Sequence, residues 1–179
     1  MKTRILTIFS GIFFWTTLAY GFQTDVNKTK KILLDLLKST HTNQGWFSTM
    51  NTAVAGLTSE QAAWSDEISD HSVGELTYHL AFWNERLLND FMGVKQDEFK
   101  GENTETFDKF QKSTWEELVK KLDDVNTRWE KAIEAADEAK LERWYVNIAN
   151  MSAHNAYHTG QIVYLRKSKG WWDPDKGVK

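Results

Sequence analysis

The chain has 179 residues, a net charge of −3, 41% hydrophobic and 26% charged residues, enough for one sizeable core of ordinary globular composition. A slightly acidic balance (pI about 6.0) leaves no basic footprint for nucleic acid or an anionic membrane surface. Cysteine is absent and Pro174 is the only proline, which excludes disulfides, thiolate ligands, cysteine nucleophiles and a lipoprotein anchor, and leaves the chain free to form long helices.

The first 21 residues differ from the rest. "MKTR" is a short basic segment, and "ILTIFSGIFFWTTLA" is apolar and uncharged. Ala19 and Gly21 put small residues at the −3 and −1 positions before Phe22. The expectation is a signal peptide over residues 1–21, cleaved on export. It leaves a single domain, residues 22–179, in the periplasm or outside the cell with no membrane anchor.

Beyond the leader, the apolar residues recur with a helical period, and no segment alternates as a strand would. The spacing predicts a first helix from about Asp25 to Ala55, with a stripe of Leu33, Leu36, Leu37, Phe47, Met50 and Val54. Thr40, Asn43 and Gln44 interrupt that stripe midway and are candidates to line a cavity. Gly56 is the expected stop. In "LTSEQAAW", Thr58 and Gln61 suit a single capped turn.

The second helix starts at a capping box, Ser72 with Glu75. Its stripe is Val73, Leu76, Leu80, Trp83, Leu87 and Phe91, and Gly93 ends it. Residues 94–112 are polar and without sustained period, which makes them the natural crossover. Ser113 and Glu116 read as another capping box. The third helix then carries an unbroken three-four seam, Trp115, Leu118, Leu122, Val125, Trp129, Ala132 and Ala136. "DEAKLERWYV" reads as a link to a fourth helix from about Asn147 to Ser168, with Gly170 as its stop. The fold class expected is all-α, a four-helix bundle with a long crossover between helices two and three.

His154 and His158 are four apart in the fourth helix, so they share one face and can chelate one ion. His79 lies three after Leu76 and four before Trp83, so it also faces inward. A transition metal usually needs a third protein ligand, and ligand sets in bundles are built from facing helices. The alternative is three neutral core histidines, each hydrogen-bonded. His41 and His71 read as solvated or structural. Asn150 lies one turn before His154, and Gln161 three residues after His158. Either could orient an imidazole. Asn155 stands where a metalloprotease helix has its glutamate, and an amide cannot abstract a proton.

"SVGELTYHLAFWNERLL" with the distant "AHNAYHTGQIVYLRKSKGWW" resembles the DinB-like (DinB/YfiT) superfamily, and "GLTSEQAAW" resembles that family's first connector. The likeness covers residues 27–172. It implies a crossover four-helix bundle and a divalent ion, zinc or nickel first among the candidates, on His79, His154 and His158. Family members resemble both metal-dependent hydrolases and transferases of low-molecular-weight thiols. The reading favoured is metal-dependent hydrolysis of a small molecule, because export separates the chain from intracellular thiols. The alternatives are thiol transfer and a non-catalytic metal-binding stress protein. Trp171 and Trp172 are candidate exposed contacts for a homodimer.

Overall fold

Polar caps and glycines set the helix ends, and the apolar stripes set which faces meet. The computed structural model describes residues 16–65 and 70–177. Among these residues all the regular structure is helical, with no strand. The α-helices are α1 (Thr16–His41), α2 (Met50–Val54), α3 (Ser59–Ala62), α4 (Val73–Met92), α5 (Trp115–Ala135) and α6 (Glu138–Ser168). Of the expected leader, residues 1–15 lie outside the described residues, and 16–21 open α1. No helix among the described residues is long and apolar enough to cross a membrane.

The single first helix expected from Asp25 to Ala55 is two helices. After His41 the chain reads Thr-Asn-Gln-Gly, and these turn-forming residues end α1. Thr49 then caps α2 by accepting from the Thr52 amide. Leu33 and Leu37 are buried as expected, but Leu36 and Phe47 are exposed. The Thr58–Gln61 and Ser72–Glu75 capping boxes both form. Gly93 closes α4 at φ 71°, a left-handed conformation that a side chain would strain.

Two helix starts differ from expectation. Ser113 does not cap α5. It lies inside a tight 3-10 turn, Lys112–Thr114, and no side chain caps the helix that follows. That turn delivers Trp115 to the core, where its indole N–H donates to the Leu57 carbonyl at 3.0 Å. The fourth long helix, α6, begins at Glu138 rather than Asn147. Asp137 caps it by accepting from the Lys140 amide at 2.8 Å. Its inward face starts at Leu141 and half-buried Trp144, which continue the same period backward from Ile148.

α4 packs on α5 and α6, and α1 packs on the same two helices. α4 and α5 run parallel. Phe91, late in α4, meets Trp129, late in α5, at 5.1 Å. At the other end Phe110 lies against Gly74 and faces Trp115 at 6.2 Å. Residues 93–114 therefore return along the length of α4 before α5 begins. α6 runs antiparallel to α4, with Phe91 beside Trp144 at one end and His79 beside His154 and His158 further along.

The core falls into two apolar clusters. One gathers Met50, Leu76, Leu80, Trp115, Leu122 and Ile162, and the other Leu33, Leu37, Leu88, Trp129, Ile133 and Ile148. Between them lies a layer of three fully buried amides, Asn84 of α4, Asn126 of α5 and Asn155 of α6. Asn84 Nδ2 donates to Asn155 Oδ1 at 2.8 Å, and Asn155 Nδ2 donates back to Asn84 Oδ1 at 3.2 Å. Asn155 Nδ2 also reaches Asn126 Oδ1 at 3.5 Å. The Trp129 indole donates to the Asn84 carbonyl at 2.9 Å.

Trp171 and Trp172 are not the exposed aromatics. Trp171 packs on the first core cluster and meets Trp64 edge-on, and Trp172 is half-buried beneath the Arg166 guanidinium. Among the described residues the exposed rings are those of Trp46, Phe47, Tyr145, Tyr157 and Tyr164.

Candidate metal centre

Helical spacing brings His154 and His158 to one side of α6, and α4 presents His79 opposite them. The ligand atoms of the three lie within 4.8 Å of one another. His79 Nε2 and His154 Nε2 are 3.0 Å apart. That is about the separation of two nitrogens that each sit ~2.1 Å from one ion. His79 and His158 are buried, and His154 is half-buried.

The outer nitrogens fix the tautomers. The Thr106 hydroxyl donates its one proton to the Asn103 carbonyl at 2.6 Å. Toward His79 Nδ1, 2.6 Å away, it can only accept, so His79 carries its proton on Nδ1. His158 Nδ1 lies 2.6 Å from Gln161 Oε1, again an acceptor, and donates in the same way. Both Nε2 lone pairs are thereby left for an ion, the arrangement that orients metal-binding imidazoles. The donor set fits a divalent transition metal of the imidazole-binding class.

Phe107 walls the site. Its ring stacks on His79 at 4.0 Å and 6°, and its other face stacks on His71 at 3.8 Å and 2°. His71 thus supports the wall and does not join the ligand cluster. His41 is elsewhere, buried between α1 and α5 with Nδ1 2.7 Å from Glu130 and Nε2 2.8 Å from Asp123. The Asp123 carboxyl is held below its usual range, first by its bond from the Asn51 amide.

Burial also sets the charge of the cluster. His79 is pushed down to about 3, by burial first and then by His158, His154 and His71. His154 is pushed down to about 4 by burial and by His158. His158 is lowered by burial, against an opposing bond to Gln161. All three are therefore neutral near pH 7, the form that binds a metal. A consequence for stability follows. Unfolded histidine titrates near 6.5, so below that the unfolded chain binds protons that the folded chain refuses. The contribution is complete above about pH 6.5 and is lost as pH falls toward 4. The unfolding temperature of chelator-treated protein should drop on the order of 10 °C from pH 7 to pH 5. Scanning calorimetry across that range checks this, and a flat profile would contradict it.

The other expected site residues divide. Gln161 bonds His158, as above. Asn150 makes no hydrogen bond to His154 among the described residues. It instead lines an open cavity of about 330 Å³ that reaches His154. Thr40 is buried with its hydroxyl donating to the Leu37 carbonyl, Asn43 and Gln44 are exposed, and none of the three lines that cavity. Thr106 and Phe107 were not expected at the site. They come from the segment read as a plain crossover, where the sequence signal is three phenylalanines, Phe99, Phe107 and Phe110, in a polar run. No carboxylate joins the histidine cluster among the described residues.

A family model described as the DinB superfamily matches residues 41–162, which include all three histidines. The chain belongs to the DinB superfamily. A relative from Geobacillus kaustophilus strain HTA426, which bears the name "Putative metal-dependent hydrolase", is 28% identical over 151 residues, 72% of this chain and 82% of its own length. A second relative of that name, from Geobacillus thermodenitrificans strain NG80-2, is 28% identical over 145 residues, 68% of this chain and 79% of its own. No solved structure matches the chain.

Proposed function

We propose that this DinB-superfamily protein is a metal-dependent hydrolase acting on a small molecule. A divalent ion, zinc or nickel, is held by His79, His154 and His158 within a four-helix bundle whose second and third long helices are joined by a crossover. The observation that carries the reading is the convergence of His79 and His154 Nε2 at 3.0 Å, with the Nδ1 proton of His79 committed to Thr106. The names of the two Geobacillus relatives support it.

A divalent ion at this point supplies Lewis acidity toward a carbonyl or water oxygen. The chain's own residues do the rest. Thr106 and Gln161 hold the imidazole rings and their tautomers, and Phe107 closes the His79 side against solvent. The cavity beside His154 leaves the opposite side open to a small molecule. The test is a panel of uncharged and charged esters and amides, assayed with protein loaded with zinc or nickel and with protein stripped by a chelator. Turnover of at least one member that disappears on stripping and returns on reloading is the expected result. Equal rates in all three preparations would sink the hydrolase reading.

A further inference from the structure

The cavity beside His154 has an unusual lining. Three primary amides, Asn103, Asn147 and Asn150, face three apolar side chains, Trp83, Leu87 and Met151. His154 is the only titratable group among the lining residues. Away from the ion's position at His154 the lining holds no charged side chain, so a charge at the amide end of a ligand would leave water without a counter-charge to meet it, which is unfavourable. A neutral ligand meets no such cost.

The amides have hydrogen-bonding capacity to spare. The Trp83 indole donates to Asn103 Oδ1 at 3.1 Å, which fixes that amide and turns its NH₂ group into the available donor. Asn147 and Asn150 are exposed, three apart on one face of α6, and make no hydrogen bond among the described residues. Each offers one acceptor and two donors. A carboxamide is the complement of such a group, as the reciprocal pairing of Asn84 with Asn155 illustrates inside this same bundle. The Trp83 ring and the Leu87 and Met151 side chains supply an apolar wall for the remainder of the molecule. At about 330 Å³ the space is at the small end of ligand cavities.

We propose that this cavity selects a small uncharged carboxamide with an apolar substituent, and discriminates against carboxylates, including thiols that carry them. The proposal names the substrate class of the hydrolase reading and rests on it. Hydrolysis of such a group adds the OH of water to the carbonyl carbon and its H to the departing nitrogen, and no oxidant or reductant is needed.

The test uses the full-length ¹⁵N-labelled chain, with and without one equivalent of zinc, titrated with three probes of one skeleton. These are N-acetylleucinamide (neutral), N-acetylleucine (anionic) and leucinamide (cationic). The side-chain NH₂ signals of Asn147 and Asn150 should shift saturably with the neutral probe. In the zinc-free chain its binding should be at least tenfold tighter than that of N-acetylleucine. Asn150→Asp should weaken N-acetylleucine further and bring leucinamide forward, because it places a carboxylate in the lining. Binding of N-acetylleucine to the zinc-free chain as tight as the neutral probe, or no response to any probe in either preparation, overturns the proposal. Zinc stoichiometry is measured in the same samples. A chain that holds zinc but ignores the neutral probe fails this inference alone. One that takes up no zinc fails the metal reading, whatever the probes do.

Discussion

Replacing His158 by alanine should lower zinc affinity by roughly a hundredfold or more. The reasoning starts from geometry. His154 and His158 share one helix face, placed to hold one ion, and their ring centroids are 4.5 Å apart. Losing one leaves a single α6 ligand and His79. A four-ligand structural zinc site is worth about 10–16 kcal/mol, so one ligand carries a few kcal/mol, and each ~1.4 kcal/mol is tenfold. Gln161→Ala should cost less, about 10–100-fold, because it removes the partner that orients the ring and not the ligand itself. His71→Ala should change affinity least of the three, since His71 touches only Phe107 among the rings around the site. Competition against a chromophoric chelator ranks the three variants. A His158→Ala protein that keeps one equivalent of zinc at wild-type affinity would defeat the three-histidine site.

The clustering of His79, His154 and His158 was legible from spacing because helical period is a strong constraint. A pair four apart must share a face, and an inward position on a facing helix completes the set. The capping boxes at Thr58 and Ser72 were legible for a similar reason, since each is a local hydrogen-bond pattern written in four residues. Ser113 and Glu116 have the same pattern and fail, because burial of Trp115 draws the chain into a tighter turn. The early start of α6 is written in the same period. Leu141, Trp144, Ile148, Met151, Asn155, His158 and Ile162 run three, four, three, four, three, four without a break. What sequence could not place was Thr106 and Phe107. Their position depends on how residues 93–114 fold back along α4, and no local period encodes that path. The parallel course of α4 and α5 demands a long return segment, and the same segment furnishes one wall of the site.

The amide layer carries the other large expectation. Asn155→Ala should destabilise the chain by roughly 3–5 kcal/mol, because it strands buried groups on two neighbouring helices. Asn84 would lose both the donor to its Oδ1 and one acceptor for its Nδ2, though it would still donate to the Leu80 carbonyl at 2.8 Å. Asn126 would lose its longer contact. For a chain of this length that corresponds to an unfolding midpoint lower by about 6–20 °C. Denaturant unfolding of Asn155→Ala and Asn84→Ala, together with the double variant, measures the coupling. The double variant should lose clearly less than the sum of the singles, since neither partner is then left alone. Single losses below about 1 kcal/mol would show that water replaces the missing amide at little cost. An Asn84→Leu, Asn155→Leu pair separates stability from register. Two apolar groups of similar size can restore much of the stability, but they do not fix α4 against α6 in one alignment as a reciprocal amide pair does. His79 stands five residues before Asn84, and His154 and His158 flank Asn155. Zinc affinity in the leucine pair should therefore fall below wild type even where stability recovers, and that divergence is what a purely structural role for the layer would not produce.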